Sequence, residues 1–214
     1  MVEDQQSDLE LLEAWGAGDR ASGSRLFRRY VAAVSRFFRS KVPEAAEDLT
    51  QKTFLALVEA RSRFRSDASF RSFVYGVARN QLLMHLRGQR RARQRFDPLT
   101  WSAVDAGASP ARVAARGEQS QLVLAALQRL PVDYQIALEL HYFEAMSVAE
   151  IAATTGDPTG TIKSRLARGR ALLREAIESL ADRSELLSSA IGELDLWLTT
   201  LPAAIRGPRD DERS

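Results

Sequence analysis

Thr159, Thr161, Lys163, Ser164, Arg165 and Arg168 place three hydroxyls and three cations within ten residues. That set matches nucleic acid. Arg donates in pairs to guanine, Ser and Thr hydroxyls hold a phosphate or a base edge, and a helix N-terminus attracts phosphate. The residues just before them explain how such groups would be presented. Ser147-Val148-Ala149-Glu150 reads as a capping box that opens a short helix. Thr155-Gly156-Asp157-Pro158 reads as a turn, with Gly156 free to take a positive φ. A second helix begins near Thr159, with Ile162, Leu166, Leu172 and Leu173 facing inward. Residues 147–174 therefore read as a helix-turn-helix whose second helix enters the major groove with its first turns. A plain helical hairpin with a basic outer face shares the pattern.

Charge is segregated along the chain although the net charge is only +2. Residues 1–19 carry acids and no Lys or Arg, whereas residues 61–95 carry many arginines against the single acid Asp67. Lys163, Arg165, Arg168, Arg170 and Arg174 form a second basic block, and the chain turns acidic again from Glu175. Two separate basic blocks on helices point to an anionic partner. One such block alone is as often a solvated helix face.

Other chemistries find little support. The absence of Cys excludes disulfides and thiol catalysis, and His85 and His141 lie far apart, with no metal-ligand spacing. Both histidines read as helix-surface or packing residues. No Gly-rich phosphate loop and no nucleophile motif occurs, so no catalytic residue, metal or cofactor is expected. No apolar run approaches the ~20 residues of a membrane span and no signal-peptide pattern is present, so a cytoplasmic location is expected.

The elements that must position these residues are helical throughout. Ser7-Asp8 caps a helix that ends at Gly16 and Gly18. A second helix spans about 20–41, with Leu26, Phe27, Tyr30, Val34, Phe37 and Phe38 at helical spacing. Pro43 separates it from a third, 44–61, in which Leu49, Thr53, Leu57 and Ala60 share a face beside Phe54 and Val58. A fourth spans about 70–93, with Phe70, Phe73, Val74, Val77, Leu82 and Leu86 inside. Residues 96–117, rich in small residues and punctuated by Pro98, Gly107, Pro110 and Gly117, read as a flexible linker between domains. Helices resume near Glu118. The expected organisation is all-α: a helical bundle over 7–95, a linker over 96–117, a helix-turn-helix domain over 118–180 and an extension over 181–214. In that extension Leu187, Ile191, Leu194, Leu198 and Leu201 form a helical apolar stripe. This last helix either docks on the second domain or linker and modulates binding, or only enlarges the core.

Four motifs, in order, resemble the ECF-type sigma factors of the sigma-70 superfamily. Ala46-Glu47-Asp48-Leu49-Thr50-Gln51-Lys52-Thr53-Phe54 looks like the family's D-L-x-Q-x-x-F run. Phe70-Arg71-Ser72-Phe73-Val74-Tyr75-Gly76-Val77-Ala78-Arg79-Asn80 is similar to F-x-x-W-L-x-x-I-A-R-N, with Phe73 where Trp is usual. Leu127-Gln128-Arg129-Leu130-Pro131 precedes the fourth, Gly160-Thr161-Ile162-Lys163-Ser164-Arg165-Leu166-Ala167-Arg168-Gly169-Arg170, which is close to G-T-V-K-S-R-L-x-R-A-R. The resemblance covers about residues 8–180.

The resemblance implies a first domain (sigma region 2) that grips core RNA polymerase and melts the −10 promoter element. It implies a second (sigma region 4) that reads the −35 element. Polymerase contact would fall to Glu47, Asp48, Gln51 and Phe54, beside Leu49 and Leu55. The −10 strand would meet Tyr75, Arg79, Asn80, Arg87, Arg90 and Arg91, with the 65–69 loop as the place where the family captures an extruded base. Tyr75 fits a core aromatic equally well. Thr159, Thr161, Lys163, Ser164, Arg165 and Arg168 would read −35. Such factors are often held by an anti-sigma protein. The alternative is an autonomous helix-turn-helix regulator, dimeric through the C-terminal leucines.

Overall fold

A computed structural model describes residues 6–61, 64, 69–89, 102 and 118–180. The expected linker, apart from Ser102, and the expected C-terminal helix lie outside these residues, as does most of the 65–69 loop. The chain divides into two compact units, one built on the first four helices and the other mostly on the helices that follow.

In the first unit α1 (Asp8–Gly16) opens on a capping box. Ser7 Oγ accepts from the Glu10 amide at 3.2 Å, and the Glu10 carboxylate accepts from the Ser7 amide at 2.6 Å. The Ser7 amide foremost, and then the Ser7 hydroxyl, which donates to the same carboxylate at 2.9 Å, hold the Glu10 carboxyl below the usual carboxylate range. After Gly18, at φ 106°, Asp19 caps α2 (Arg20–Arg39) and is also held low, chiefly by its bond from the Ser22 hydroxyl. Asp8 ties the two helices together by accepting from Arg29 at 2.9 Å and from Tyr30. Burial, and then the bond to Asp8, raises the Tyr30 hydroxyl well above its ordinary pKa.

The end of α2 comes two residues earlier than expected. Pro43 disfavours helical backbone at Val42, which leaves the helix at φ −142° and ψ 67°. The Lys41 ammonium folds back to donate to the Phe37 carbonyl at 2.9 Å, satisfying an orphan acceptor of the last turn. A 3₁₀ turn at Pro43–Ala45 leads into α3 (Ala46–Ala60). Leu49, Thr53 and Leu57 bury one face, and the Thr53 hydroxyl donates to the Leu49 carbonyl at 2.7 Å, so its burial leaves that donor satisfied. In α4 (Phe70–Gln89), Val74, Ala78, Leu82 and Leu86 form the i, i+4, i+8, i+12 column that closes the core.

The second unit begins with α5 (Glu118–Arg129) and α6 (Val132–Leu138), separated by Leu130-Pro131. Pro131 forms an isolated antiparallel bridge with Ser102. A π-helical turn, Glu139–Phe143, follows α6 without a break. Gln135 and Glu139, both buried, are joined across it by a 2.8 Å bond. The capping box expected at Ser147 is formed: the Glu150 carboxylate accepts from the Ser147 amide at 2.9 Å and Ser147 Oγ accepts from the Glu150 amide at 3.2 Å. It opens α7 (Val148–Thr155). Gly156 has φ 77°, and α8 (Thr159–Leu180) follows. Ile151, Ile162, Leu166, Leu173 and Ile177 are buried, while Ala152 and Leu172 are only half-buried.

Candidate nucleic-acid and protein interfaces

The outer face of α3 is laid bare by the burial of its inner one. Glu47, Asp48 and Gln51 are exposed, and so are Leu55, at 64%, and Val58. At ~100° per residue, Glu47, Gln51, Leu55 and Val58 fall within about a quarter-turn of the helix surface. Phe54 borders this patch half-buried, with its ring 4.9 Å from that of Phe27 on α2. Asp48 pairs with Lys52 at 2.7 Å, but both side chains are more than half exposed, so the pair is weak and a partner can open it. The face offers acids, an amide and two aliphatic side chains to something basic and partly apolar. Val58 belongs to it too, although the sequence pattern set it beside the buried face.

On α4 the structure separates residues that the motif put together. Asn80 and Arg87 are exposed and Arg79 is half-buried. Tyr75 is 0% exposed, its ring edge-on to Phe37 at 5.8 Å. The expectation that Tyr75 meets DNA is therefore corrected: its ring is a core element. The reason is geometric, since five residues of helix turn Tyr75 about 140° away from Asn80. Its i+3, i+7 and i+11 neighbours, Ala78, Leu82 and Leu86, are the core column, and that spacing is the signal that would have placed it. Between Asn80 and Arg87 stands Met84, 63% exposed, which sequence reasoning passed over. Arg90 and Arg91 lie outside the described residues.

On α8 the exposed arc runs through Thr159, Lys163, Ala167, Gly160, Ser164 and Arg168. Cations and hydroxyls alternate there with two residues too small to hold a partner away. Thr161 is half-buried at its edge, and the Ser164 hydroxyl donates to the Thr161 carbonyl at 2.9 Å, keeping its lone pairs outward for another donor. Arg165 lies on the other side. Its guanidinium donates to Asp133 at 3.1 Å and to Asp157 at 2.5 Å, and its side chain is 13% exposed. The expectation that Arg165 touches DNA is corrected: it is engaged inside its own domain. It stands three residues after the buried Ile162, and that spacing was the available warning. Arg170 likewise donates inward, to the Tyr142 hydroxyl at 3.1 Å.

His141 Nδ1 lies 2.9 Å from the Met146 carbonyl, a packing contact. Among the described residues no group of three or more His, Cys, Asp or Glu side chains is placed to hold a metal ion, and no helix is long and apolar enough to cross a membrane.

Both parts of the chain are similar to known proteins. The model of sigma-70 region 2 matches residues 25–92 and that of sigma-70 region 4 matches residues 120–173, together more than half of the chain. The RNA polymerase sigma-H factor of Pseudomonas aeruginosa is 29% identical over 191 residues, covering 82% of this chain and 96% of that protein. The ECF RNA polymerase sigma-E factor of Escherichia coli K12 is 27% identical, covering 85% and 100%. Among solved structures, the sigma factor RpoE of Bartonella quintana, in complex with the anti-sigma factor NepR, superposes with a TM-score of 0.58 at 24% identity, covering 72% of this chain and 96% of that one. CnrH, in complex with the cytosolic domain of CnrY, gives 0.59 at 24%, covering 81% and 99%. At that identity the two structures speak for the fold.

Proposed function

The chain belongs to the sigma-70 family, as an RNA polymerase sigma factor of the ECF type, and on that premise we propose how its residues divide the work of promoter recognition. The α3 patch of Glu47, Asp48, Gln51, Phe54, Leu55 and Val58 docks on core RNA polymerase. Asn80, Arg79 and Arg87 of α4, continued by Arg90 and Arg91, hold the −10 element as its strands part. Thr159, Thr161, Lys163, Ser164 and Arg168 of α8 read the −35 element. The protein carries no reaction of its own. It acts in the cytoplasm, where polymerase and promoter are, as a dissociable specificity subunit.

The observation that carries this reading is the α3 patch. Leu55 and Val58 are aliphatic, exposed and contiguous with two acids and an amide, a surface that gains by being covered. An autonomous helix-turn-helix regulator needs no such face, and none of the comparisons favours that alternative. The charge of α8 supports the other half: an anionic groove meets Lys163 and Arg168 with no acid between them.

Two partners must therefore be engaged at once, and tethering adds affinity only when both contacts form. An anti-sigma protein, the class of partner seen with the Bartonella RpoE, would act here by covering the α3 patch or the α8 arc. The test is a titration of labelled core polymerase with the full chain and with Leu55→Arg. The variant should bind at least about tenfold more weakly with its fold unchanged, because an exposed side chain contributes little to stability. Equal binding overturns the assignment of α3.

A further inference from the structure

Arg165 stands within the basic run of α8 yet its charge does not reach the surface. A long helical side chain leans toward the helix N-terminus. Here that direction brings the guanidinium back to Asp157, in the turn before α8, and across to Asp133, at the start of α6. The Arg165 and Asp133 side chains are 13% and 7% exposed and that of Asp157 is 25% exposed. One planar fork thus joins the first turn of α6, the turn of the helix-turn-helix and the second turn of α8.

We propose that Arg165, held between Asp133 and Asp157, is a positioning residue that fixes the angle of α8 in the groove, so that −35 selectivity depends on an ion triad that never touches DNA. This rests on the reading of α8 as the −35 helix. The triad is net negative and lies against a DNA-facing domain. Electrostatics alone therefore makes Asp157 a liability for DNA binding, and neutralising it should tighten binding to any duplex. The positioning role has the opposite sign. Without Asp157 the guanidinium keeps one anchor of two, α8 gains freedom of tilt, and the side chains of its exposed arc no longer meet base edges in register. Contacts to phosphate tolerate such tilt better than contacts to base edges, which need bidentate geometry. Selectivity should fall further than affinity.

The test uses the full chain bound to core RNA polymerase, with a promoter that the wild-type holoenzyme selects from a library randomised at −35. The readouts are the ratio of binding to the selected and a scrambled −35 element, and the slope of log affinity against log salt. Asp157→Asn and Arg165→Lys are the principal variants. The first removes a partly exposed partner. The second keeps the charge but lacks the planar fork that spans two carboxylates. Both are checked for helical content before use, and Arg165→Met is added where it folds. Lys163→Ala is the comparison, a residue of the exposed arc. The proposal predicts that selectivity falls roughly tenfold or more in Asp157→Asn and Arg165→Lys, with the salt slope unchanged. Lys163→Ala should lower the slope by about one.

Tighter binding by Asp157→Asn with selectivity retained overturns the proposal, as does a slope reduced by about one in Arg165→Met, which would mark a phosphate contact. A wild-type holoenzyme indifferent to the −35 sequence overturns the reading of α8 and the triad with it. A selective wild type with an equally selective Asp157→Asn overturns the triad alone.

Discussion

A Cβ placed on Gly23 would lie 2.7 Å from the Trp15 indole. The close approach of α1 and α2 exists only because that position has no side chain. Trp15 then stacks edge-on to Phe27 at 5.2 Å, and Phe27 meets Phe54 at 4.9 Å, so the contact that seats α1 on α2 also braces the helix that carries the proposed polymerase patch. Gly23→Ala should therefore destabilise the first unit. Overpacking against a rigid ring costs ~1–3 kcal/mol, and the gain in helix propensity offsets about 1 kcal/mol of it. A lowered urea midpoint by circular dichroism is expected, and an unchanged or raised one would show that Trp15 moves aside.

The Asp48–Lys52 pair lies on the surface, so Lys52→Ala should change stability by less than about 1 kcal/mol. Asp48→Lys should leave the fold intact and weaken binding to core polymerase by at least about tenfold. The pair of measurements separates a role in docking from a role in folding.

Tyr75 and Asn80 should behave oppositely. Tyr75→Ala empties a fully buried site and should cost ~3–5 kcal/mol of stability, whereas Tyr75→Phe keeps the ring and should open promoters like the wild type. Asn80→Ala, at an exposed position, should leave stability within about 0.5 kcal/mol and reduce opening, read by permanganate reactivity of the −10 thymines.

Glu10 and Asp19 are both held below the ordinary carboxylate range of about 4. A depressed folded pKa favours the ionised group in the folded state. Its contribution is present above the unfolded value and is lost as pH falls through the folded one. The first unit should therefore lose stability as pH falls below the ordinary carboxylate range. Ser22→Ala removes the chief bond to Asp19, and Ser7→Ala removes the hydroxyl bond to Glu10 while leaving the stronger amide bond; each should lower the urea midpoint at pH 6 and lower it less at pH 2, Ser7→Ala by the smaller amount. Tyr30 has the opposite sign, since its raised pKa gives stability that is lost only at strongly alkaline pH.

Local chemistry was the legible part of this chain. Ser147 and Glu150 form their box, Gly156 takes its positive φ, and Ser7 opens α1, because each depends on residues within four positions. The α3 patch was legible as well, since Glu47, Asp48 and Gln51 stand opposite Leu49, Thr53 and Leu57. The misplacements share one cause. Tyr75 stands in a family motif and Arg165 in a basic run, whereas their orientation is set by partners far away in sequence: Phe37 for the one, Asp133 for the other. Counting helix rotation from Leu82 and Ile162 would have turned both inward. The π turn at Glu139 has no such signal, because the buried bond to Gln135 joins two residues whose spacing is equally ordinary in an α-helix.

The most direct measurement is run-off transcription from a library of promoter fragments by purified core RNA polymerase, with and without this protein. The account predicts initiation at a defined subset of fragments only when the protein is present, and loss of that initiation with Leu55→Arg. Tight retention of particular fragments by the protein alone, with no initiation when polymerase is added, would contradict it.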